Sequence, residues 1–361
     1  MDEYRARIEQ YPAHEIQPTD EATEFDAGVD SYQTKSLILV AAKHSHMVYS
    51  KEIPPSPNRT VLKPTGMFKR TSIALEELGP GKDPIVVVSV RGSVSRRDWL
   101  VNGDGSPVPS HPDILATTEG ILWHRGFLGV ANAMHSKVMG AILSLAENIS
   151  TTPTRQKKPD LLFTGHSAGG AVAQILYAMC GSPSHALSSL VPSELEVYNT
   201  FFSFIPQPTN NCCVTCVPEF SNIHCIPFGA PPVSTSPIMP STIMVPSPFS
   251  AGLFLNMVNE GDPVALLQQD YIHELMVLYA GHEPELAQRH PGRVFQPPNP
   301  VFRVSGAECV VLRDNDSEDV DAVGWNAVVV QPHVLERKLF GNPGVHHMVD
   351  YLERVQYLCK E

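Results

Sequence analysis

The 361-residue sequence has no apolar run of the roughly 18 residues that a membrane-spanning helix needs. It also lacks an excess of basic residues, since 26 Lys and Arg stand against 38 Asp and Glu, for a net charge of −12. A basic surface is what binds phosphate backbones and anionic lipid headgroups, so this balance argues against a nucleic-acid partner. An uncharged substrate is compatible with it. With 42% apolar and only 18% charged residues, the composition is that of a globular protein with a substantial core.

Cysteine is sparse, with seven residues in no regular spacing. An odd number without a framework, in a chain of this size, does not indicate a disulfide scaffold. The first 30 residues are acidic and polar, and they lack the basic start and apolar stretch of a secretory signal. We therefore expect residues 1–30 to form a solvated, disordered arm and the protein to be cytoplasmic.

Apolar runs alternate with longer amphipathic segments from about residue 31 onwards. The β-branched run Pro84–Val90 and the run Asp160–Thr164 predict buried parallel strands. Between them, apolar residues three and four positions apart predict a helix over Gly126–Ile149. Later apolar segments predict two strands and a final helix, at residues 222–227, 252–258 and 351–357. The alternation predicts an α/β fold, with a mostly parallel central sheet and helices on both faces.

A single domain is expected over residues 31–361, interrupted by an irregular insertion at about 182–221 that contains five prolines. The end of this insertion and the residues just after it are rich in cysteine and histidine, at Cys212, Cys213, Cys216, His224 and Cys225. A structural zinc site needs a second spaced pair beside the one C-x-x-C found here. Ordinary thiols are therefore the favoured interpretation, and neither a metal nor another cofactor is predicted.

The segment Gly165-His-Ser-Ala-Gly169 fits the pattern G-x-S-x-G and lies between a predicted strand and a predicted helix. A serine on a sharp strand-to-helix turn needs neighbours without side chains two positions away, and Gly165 and Gly169 satisfy that need. The first N–H groups of the following helix would point at a developing oxyanion. Ser167 is therefore the predicted nucleophile, and an ordinary helix-capping serine is the alternative.

A serine hydroxyl becomes an effective nucleophile only when a histidine takes its proton and a carboxylate orients that histidine. Asp262 follows a predicted strand, at the edge where α/β sheets place their sites. A turn-capping aspartate is the alternative interpretation, and Glu260 is the nearest competing carboxylate. His346 and His347 precede the last helix, and His346 is the predicted base because it is nearer to the bend at Gly344. His347 is the runner-up.

Separated segments of the chain resemble the class 3, or fungal-type, lipase family and occur in the family's order. They are Val90-Arg-Gly-Ser with Trp99 six residues later, His124-Arg-Gly-Phe127, the Gly165–Gly170 elbow, Pro227-Phe-Gly-Ala-Pro-Pro-Val233, Asp262-Pro-Val264 and the His346 region. The resemblance extends from about Leu37 to Tyr351. Pro232, Ser234 and Ala265 depart from the family's usual residues. The resemblance implies an α/β-hydrolase fold.

The same resemblance implies a carboxylic ester hydrolase that acts on a lipid through an acyl-enzyme on Ser167, without a cofactor. By position, Ser93 would donate its hydroxyl and N–H to the oxyanion, and Ala168 would supply a second N–H. Trp99 would lie in a short lid over the acyl groove. A turn serine and a core or rim aromatic are the structural alternatives for Ser93 and Trp99. The functional alternative is a catalytically idle lipase-like scaffold that binds lipid or protein partners.

Overall fold

The computed structural model describes residues 14–25, 31–79, 82–94, 103–110, 120–150, 158–180, 220–240, 252–280, 297–314 and 324–360. Trp99, Cys212, Cys213, Cys216 and nearly all of the predicted insertion at 182–221 lie outside these residues. Within the described ranges, no helix combines the length and the apolar character needed to cross a membrane. The same ranges contain no group of three or more His, Cys, Asp or Glu side chains placed to hold a metal ion.

A nine-stranded sheet forms the centre of the described structure, in the order β1-β11-β10-β9-β8-β7-β4-β3-β2. Its strands are β1 Thr23–Glu24, β2 Arg59–Leu62, β3 Thr71–Glu77, β4 Pro84–Val90, β7 Asp160–His166, β8 Ile223–Phe228, β9 Leu255–Asn259, β10 Glu308–Asp314 and β11 Trp325–Val330. Strands β4, β7, β8, β9 and β10 run parallel. The outer strands pair antiparallel with their neighbours. A separate two-stranded sheet joins β5 Pro107–Pro109 and β6 Leu122–His124.

Helices cover both faces of the sheet. Helices α1 Ser31–Met47 and α6 Met348–Leu358 pack on one face, and α2 Arg125–Ser150 and α3 Ala168–Cys180 pack on the other. Strand β4 contributes to both cores, since Val86 and Val88 join the α2–α3 side while Ile85 and Val87 join the α1–α6 side. A strand buried on both faces needs such a continuous apolar run. The predicted α/β fold, with a mostly parallel sheet covered on both faces, is confirmed.

A third apolar cluster closes the β10–β11 edge of the sheet. It includes residues of α4 Gln269–Ala280 and of the short helix α5 Pro332–Leu335. A 3-10 turn, Pro263–Leu266, leads from β9 into this region, and a second one, Pro343–His346, leads into α6. The chain segments after β9 and before α6 therefore meet near the carboxyl ends of the central strands.

The prediction that residues 1–30 form a solvated arm is wrong for residues 14–25. Strand β1 pairs with β11, and Ile16 is only 3% exposed within the third apolar cluster. The ammonium of Lys338 donates to the backbone carbonyl of Glu15 at 2.9 Å and also contacts the carboxylate of Asp20. Polar composition misleads here because an edge strand offers backbone groups that a polar segment can pair with.

Candidate active site

Ser167 lies on the turn between β7 and α3, with a left-handed φ of 59° that is uncommon for a residue other than glycine. The neighbouring glycines make this turn possible. A Cβ on Gly165 would lie 2.7 Å from the carbonyl oxygen of Val90, and a Cβ on Gly169 would lie 2.1 Å from the same oxygen. Both distances are impossible for real side chains, so the close approach of β4, β7 and α3 requires glycine at both positions.

The segment after β4 lies beside the serine turn. A Cβ on Gly92 would come within 3.3 Å of the Cβ of Ser167, which places the following residue, Ser93, next to that turn. Ala168 is the first residue of α3 and is 1% exposed. Its N–H has no partner within the helix because the first four helical N–H groups have none. The structure thus brings both residues expected to donate to the oxyanion close to Ser167.

Asp262 follows β9 and is fully buried, at 0% exposure. Its Oδ1 accepts a hydrogen bond of 2.8 Å from the backbone N–H of Val264. Its Oδ2 accepts two hydrogen bonds, one of 2.8 Å from Nδ1 of His346 and one of 2.6 Å from the hydroxyl of Tyr351. Three donors satisfy a carboxylate that burial would otherwise destabilise. Burial, followed by the charge of Asp262, raises the pKa of Tyr351 well above its ordinary value. Tyr351 therefore remains protonated and donates to the carboxylate.

The competing carboxylate, Glu260, has a different set of contacts. Its Oε1 accepts the backbone N–H of Ile16 at 2.7 Å, so it links the N-terminal segment to the end of β9. Asp262 is the carboxylate that bonds to His346. Glu260 thus joins two chain segments, whereas Asp262 contacts the ring of His346.

The two adjacent histidines also differ in their surroundings. His346 ends the 3-10 turn Pro343–His346, whereas His347 caps α6 and is exposed. The carbonyl of Val345 accepts a hydrogen bond of 2.8 Å from the Nδ2 of Asn259, which ties the histidine loop to the end of β9. The ring of His346 lies against that of His166, with centroids 4.5 Å apart, and His166 directly precedes Ser167. His346 is thus held between Asp262 and the serine turn.

Gly229 is a site residue that the sequence analysis does not single out, although it lies in the Pro227–Val233 motif. It follows β8 with a φ of 51°. A Cβ there would lie 2.6 Å from Oδ2 of Asp262, 2.8 Å from the hydroxyl oxygen of Tyr351 and 3.2 Å from Nδ1 of His346. Because glycine has no side chain, the side chains of Asp262, Tyr351 and His346 can come into contact beside it.

Tyr49 and His166 are two further residues that the sequence analysis does not single out. The hydroxyl of Tyr49 lies 3.0 Å from Nδ1 of His166 and 3.0 Å from the backbone nitrogen of Gly92. The Nε2 of His166 lies 2.7 Å from the backbone carbonyl oxygen of His346. For His166 the available signal is its place inside the G-x-S-x-G motif, and for Tyr49 the sequence offers none.

With this geometry established, the chain can be compared with known proteins. Residues 87–193 match the family model described as Lipase (class 3). This matching segment contains Ser93, Ser167 and Ala168, whereas Asp262 and His346 lie beyond it.

A curated relative, secreted mono- and diacylglycerol lipase 1 from Fusarium solani, is 30% identical over 125 residues. The match covers 34% of this chain and 34% of the relative, so the chain matches about a third of the relative's length. The native Rhizomucor miehei lipase propeptide complex has a TM-score of 0.46 and 17% identity, and the match covers 92% of this chain and 81% of that one. A triacylglycerol lipase from Penicillium expansum has a TM-score of 0.47 and 13% identity, with 88% and 92% covered.

The Fusarium relative corrects the expected location of this chain. It is named a secreted lipase, and the cytoplasmic location predicted from the sequence is therefore wrong. That prediction depended on the polar character of residues 1–30 and on the odd number of cysteines. Neither property determines where a folded protein is delivered.

Proposed function

We propose that this chain is a serine hydrolase that cleaves a carboxylic ester of a lipid, with Ser167 as nucleophile, His346 as base and Asp262 as the orienting carboxylate. The observation that carries the proposal is the 2.8 Å bond between Nδ1 of His346 and Oδ2 of the fully buried Asp262. This bond joins a carboxylate to a histidine whose ring lies against the residue that precedes the strained serine. A serine turn, a histidine and a buried carboxylate are the three parts that acyl transfer requires.

The tautomer of His346 follows from its partner. Because a carboxylate can only accept, Nδ1 carries the proton and donates it to Asp262. In the neutral ring, Nε2 is then the unprotonated nitrogen that can take the proton of the Ser167 hydroxyl. Asp262 also stabilises the imidazolium that forms when that proton arrives.

The proposed reaction proceeds in two steps. The Ser167 oxygen attacks the ester carbonyl while Nε2 of His346 takes the hydroxyl proton, and the carbonyl oxygen becomes an oxyanion that the Ala168 and Ser93 N–H groups stabilise. Collapse of this intermediate breaks the ester bond, and His346 returns its proton to the departing alcohol. Water then attacks the acyl-enzyme by the same route, which releases the carboxylic acid and restores Ser167. No metal or redox partner enters this sequence.

A lipid ester is the proposed substrate because the matching family is that of class 3 lipases, and because the Fusarium relative is named a mono- and diacylglycerol lipase. Acylglycerols are therefore the first substrates to test. The relative's name also supports an extracellular site of action for this chain. With a net charge of −12, attraction to uncharged acylglycerol surfaces would depend on apolar contact rather than on charge.

The test is hydrolysis of acylglycerols and p-nitrophenyl esters of increasing chain length by the wild type and by Ser167→Ala. We expect Ser167→Ala to lose all measurable turnover while its circular dichroism and melting temperature remain those of a folded protein. Ser45→Ala is the control for loss of a serine hydroxyl, because Ser45 has a buried hydroxyl bonded to Thr164 of β7 at 2.9 Å. Turnover by Ser167→Ala at the rate of Ser45→Ala would refute the mechanism and favour an idle lipase-like scaffold.

A further inference from the structure

A line of three hydrogen bonds connects the segment that leads into Ser93 with the loop that carries His346. It runs from the Gly92 nitrogen to the Tyr49 hydroxyl, then to Nδ1 of His166, and from Nε2 of His166 to the carbonyl of His346. The Tyr49 hydroxyl sits so close over Gly92 that a Cβ there would lie 2.2 Å from its oxygen. The line therefore joins the segment after β4 to the loop before α6 through His166, which directly precedes Ser167.

Each donor in this line can be assigned. A carbonyl oxygen only accepts, so Nε2 of His166 donates to His346. Burial, followed by electrostatic repulsion between the two rings when both are protonated, lowers the pKa of His166 to about 3, so the His166 ring is neutral. Its Nδ1 is then an acceptor, and the Tyr49 hydroxyl donates to it while accepting the N–H of Gly92. The direction of every bond is fixed.

His166 has no role of its own in the proton transfers of the proposed reaction. It is 6% exposed, and both of its ring nitrogens are engaged with protein groups. A neutral ring is also what the neighbouring site requires. A second positive charge beside His346, with ring centroids 4.5 Å apart, would oppose the imidazolium that forms on His346 during catalysis.

We propose that Tyr49 and His166 are positioning residues that fix the Gly92–Ser93 segment and the His346 loop relative to Ser167. This inference rests on the proposed ester hydrolysis. Rate enhancement by oxyanion donors and by a general base depends on alignment within about 0.5 Å, which side chains locked by further hydrogen bonds provide. Tyr49 acts on the oxyanion side through Gly92, and His166 acts on the base side through the carbonyl of His346.

Aryl esters and alkyl esters can distinguish an effect on the oxyanion segment from an effect on the His346 loop. A p-nitrophenol leaves without a proton, whereas an alkyl alcohol must receive one from His346. A misplaced oxyanion segment should therefore slow both esters equally, while a misplaced histidine loop should slow the alkyl ester more. The rates are measured per active serine, titrated with a fluorophosphonate, so that a smaller folded fraction does not count as slower catalysis.

The variants are Tyr49→Phe, His166→Asn and His166→Gln, with Ser45→Ala as control for the loss of a buried hydroxyl between α1 and β7. We expect Tyr49→Phe to lower kcat about tenfold on both esters with KM nearly unchanged. Asparagine is too short to reach the His346 carbonyl, so His166→Asn should slow the alkyl ester about tenfold more than the aryl ester. Glutamine can reach that carbonyl, so His166→Gln should recover most of the alkyl-ester rate.

The inference is overturned if Tyr49→Phe and His166→Asn match Ser45→Ala in kcat on both esters, whatever their melting temperatures. It is also overturned if His166→Asn and His166→Gln lose both ester activities to the same extent. A different result would overturn the proposed ester hydrolysis itself. In that case the wild type would show no Ser167-dependent turnover with either ester.

Discussion

Replacing Tyr351 with phenylalanine removes one buried oxygen that serves the carboxylate of Asp262. The hydroxyl donates to Oδ2 of Asp262 at 2.6 Å and accepts the backbone N–H of Asn259 at 2.9 Å. A hydrogen bond to a charged group contributes about 1.5–3 kcal/mol to stability and a neutral one about 0.5–1.5 kcal/mol. Tyr351→Phe should therefore lower the free energy of unfolding by about 2–4 kcal/mol.

The same change should affect catalysis, because Asp262 loses one of its three donors and is held less firmly against His346. We expect kcat to fall about tenfold, which corresponds to about 1.4 kcal/mol of barrier. KM should change little, since the buried hydroxyl of Tyr351 bonds to the protein and not to the substrate.

Tyr271→Phe is the matched control. The buried hydroxyl of Tyr271 contacts the carbonyls of Lys338 and Phe340 at 3.1 and 3.0 Å and accepts the N–H of Phe340 at 2.8 Å, and none of these groups belongs to the Asp262–His346 pair. Urea unfolding measures the stability of both variants, and ester hydrolysis per titrated serine measures kcat. Both variants should be destabilised, and only Tyr351→Phe should be slow. Equal kcat values would refute the argument that Tyr351 acts through Asp262.

Four further substitutions test other parts of the site. Gly229→Ala should lower kcat by at least about a hundredfold, because its methyl group would lie 2.6 Å from Oδ2 of Asp262. Turnover at the wild-type rate would contradict this, since it would show that the loops carrying Gly229 and Asp262 can separate without loss of activity. Ser93→Ala should lower kcat by about ten- to a thousandfold with little change in KM, as expected for a hydroxyl that bonds the transition-state oxyanion; an effect confined to KM would make Ser93 a ground-state contact. His346→Ala should lose nearly all turnover and His347→Ala should keep most of it in the same assay, since Asp262 bonds to His346; the reverse pattern would move the base to His347.

The central strands follow directly from the sequence, since the run Pro84–Val90 coincides with β4 and Asp160–Thr164 lies within β7. Strands β2 and β3 were missed because their signals are weak. Arg59–Leu62 has only four half-buried residues, and Thr71–Glu77 ends in two glutamates. Helix α4 was missed as well, because charged and apolar residues are closely mixed along it. A continuous apolar run is visible in a sequence, whereas a strand with polar or half-buried residues, such as Thr71 and Ser72 in β3, is not.

In the candidate site, too, some residues could be predicted from local patterns and others could not. Ser167 and Asp262 were predicted from local patterns that the turn and the strand end impose on neighbouring residues. The contact between Tyr49 and His166 joins residues 117 positions apart, and the bond from Tyr351 to Asp262 spans 89 positions. Such contacts depend on how α1 and α6 pack on the sheet. They cannot be read from the spacing of neighbouring residues in the sequence. The sequence places Tyr351 at the start of the predicted last helix and gives no sign of its hydrogen bond to Asp262.

The most direct test of the account is covalent labelling with a fluorophosphonate, followed by mass spectrometry of the modified peptide. We predict one adduct, on Ser167, formed rapidly by the wild type, slowly by His346→Ala and not at all by Ser167→Ala. The labelled protein should have lost its ester hydrolysis in proportion to the adduct. A wild-type protein that hydrolyses esters while Ser167 stays unlabelled, or that carries the adduct on another residue, would contradict the central claim.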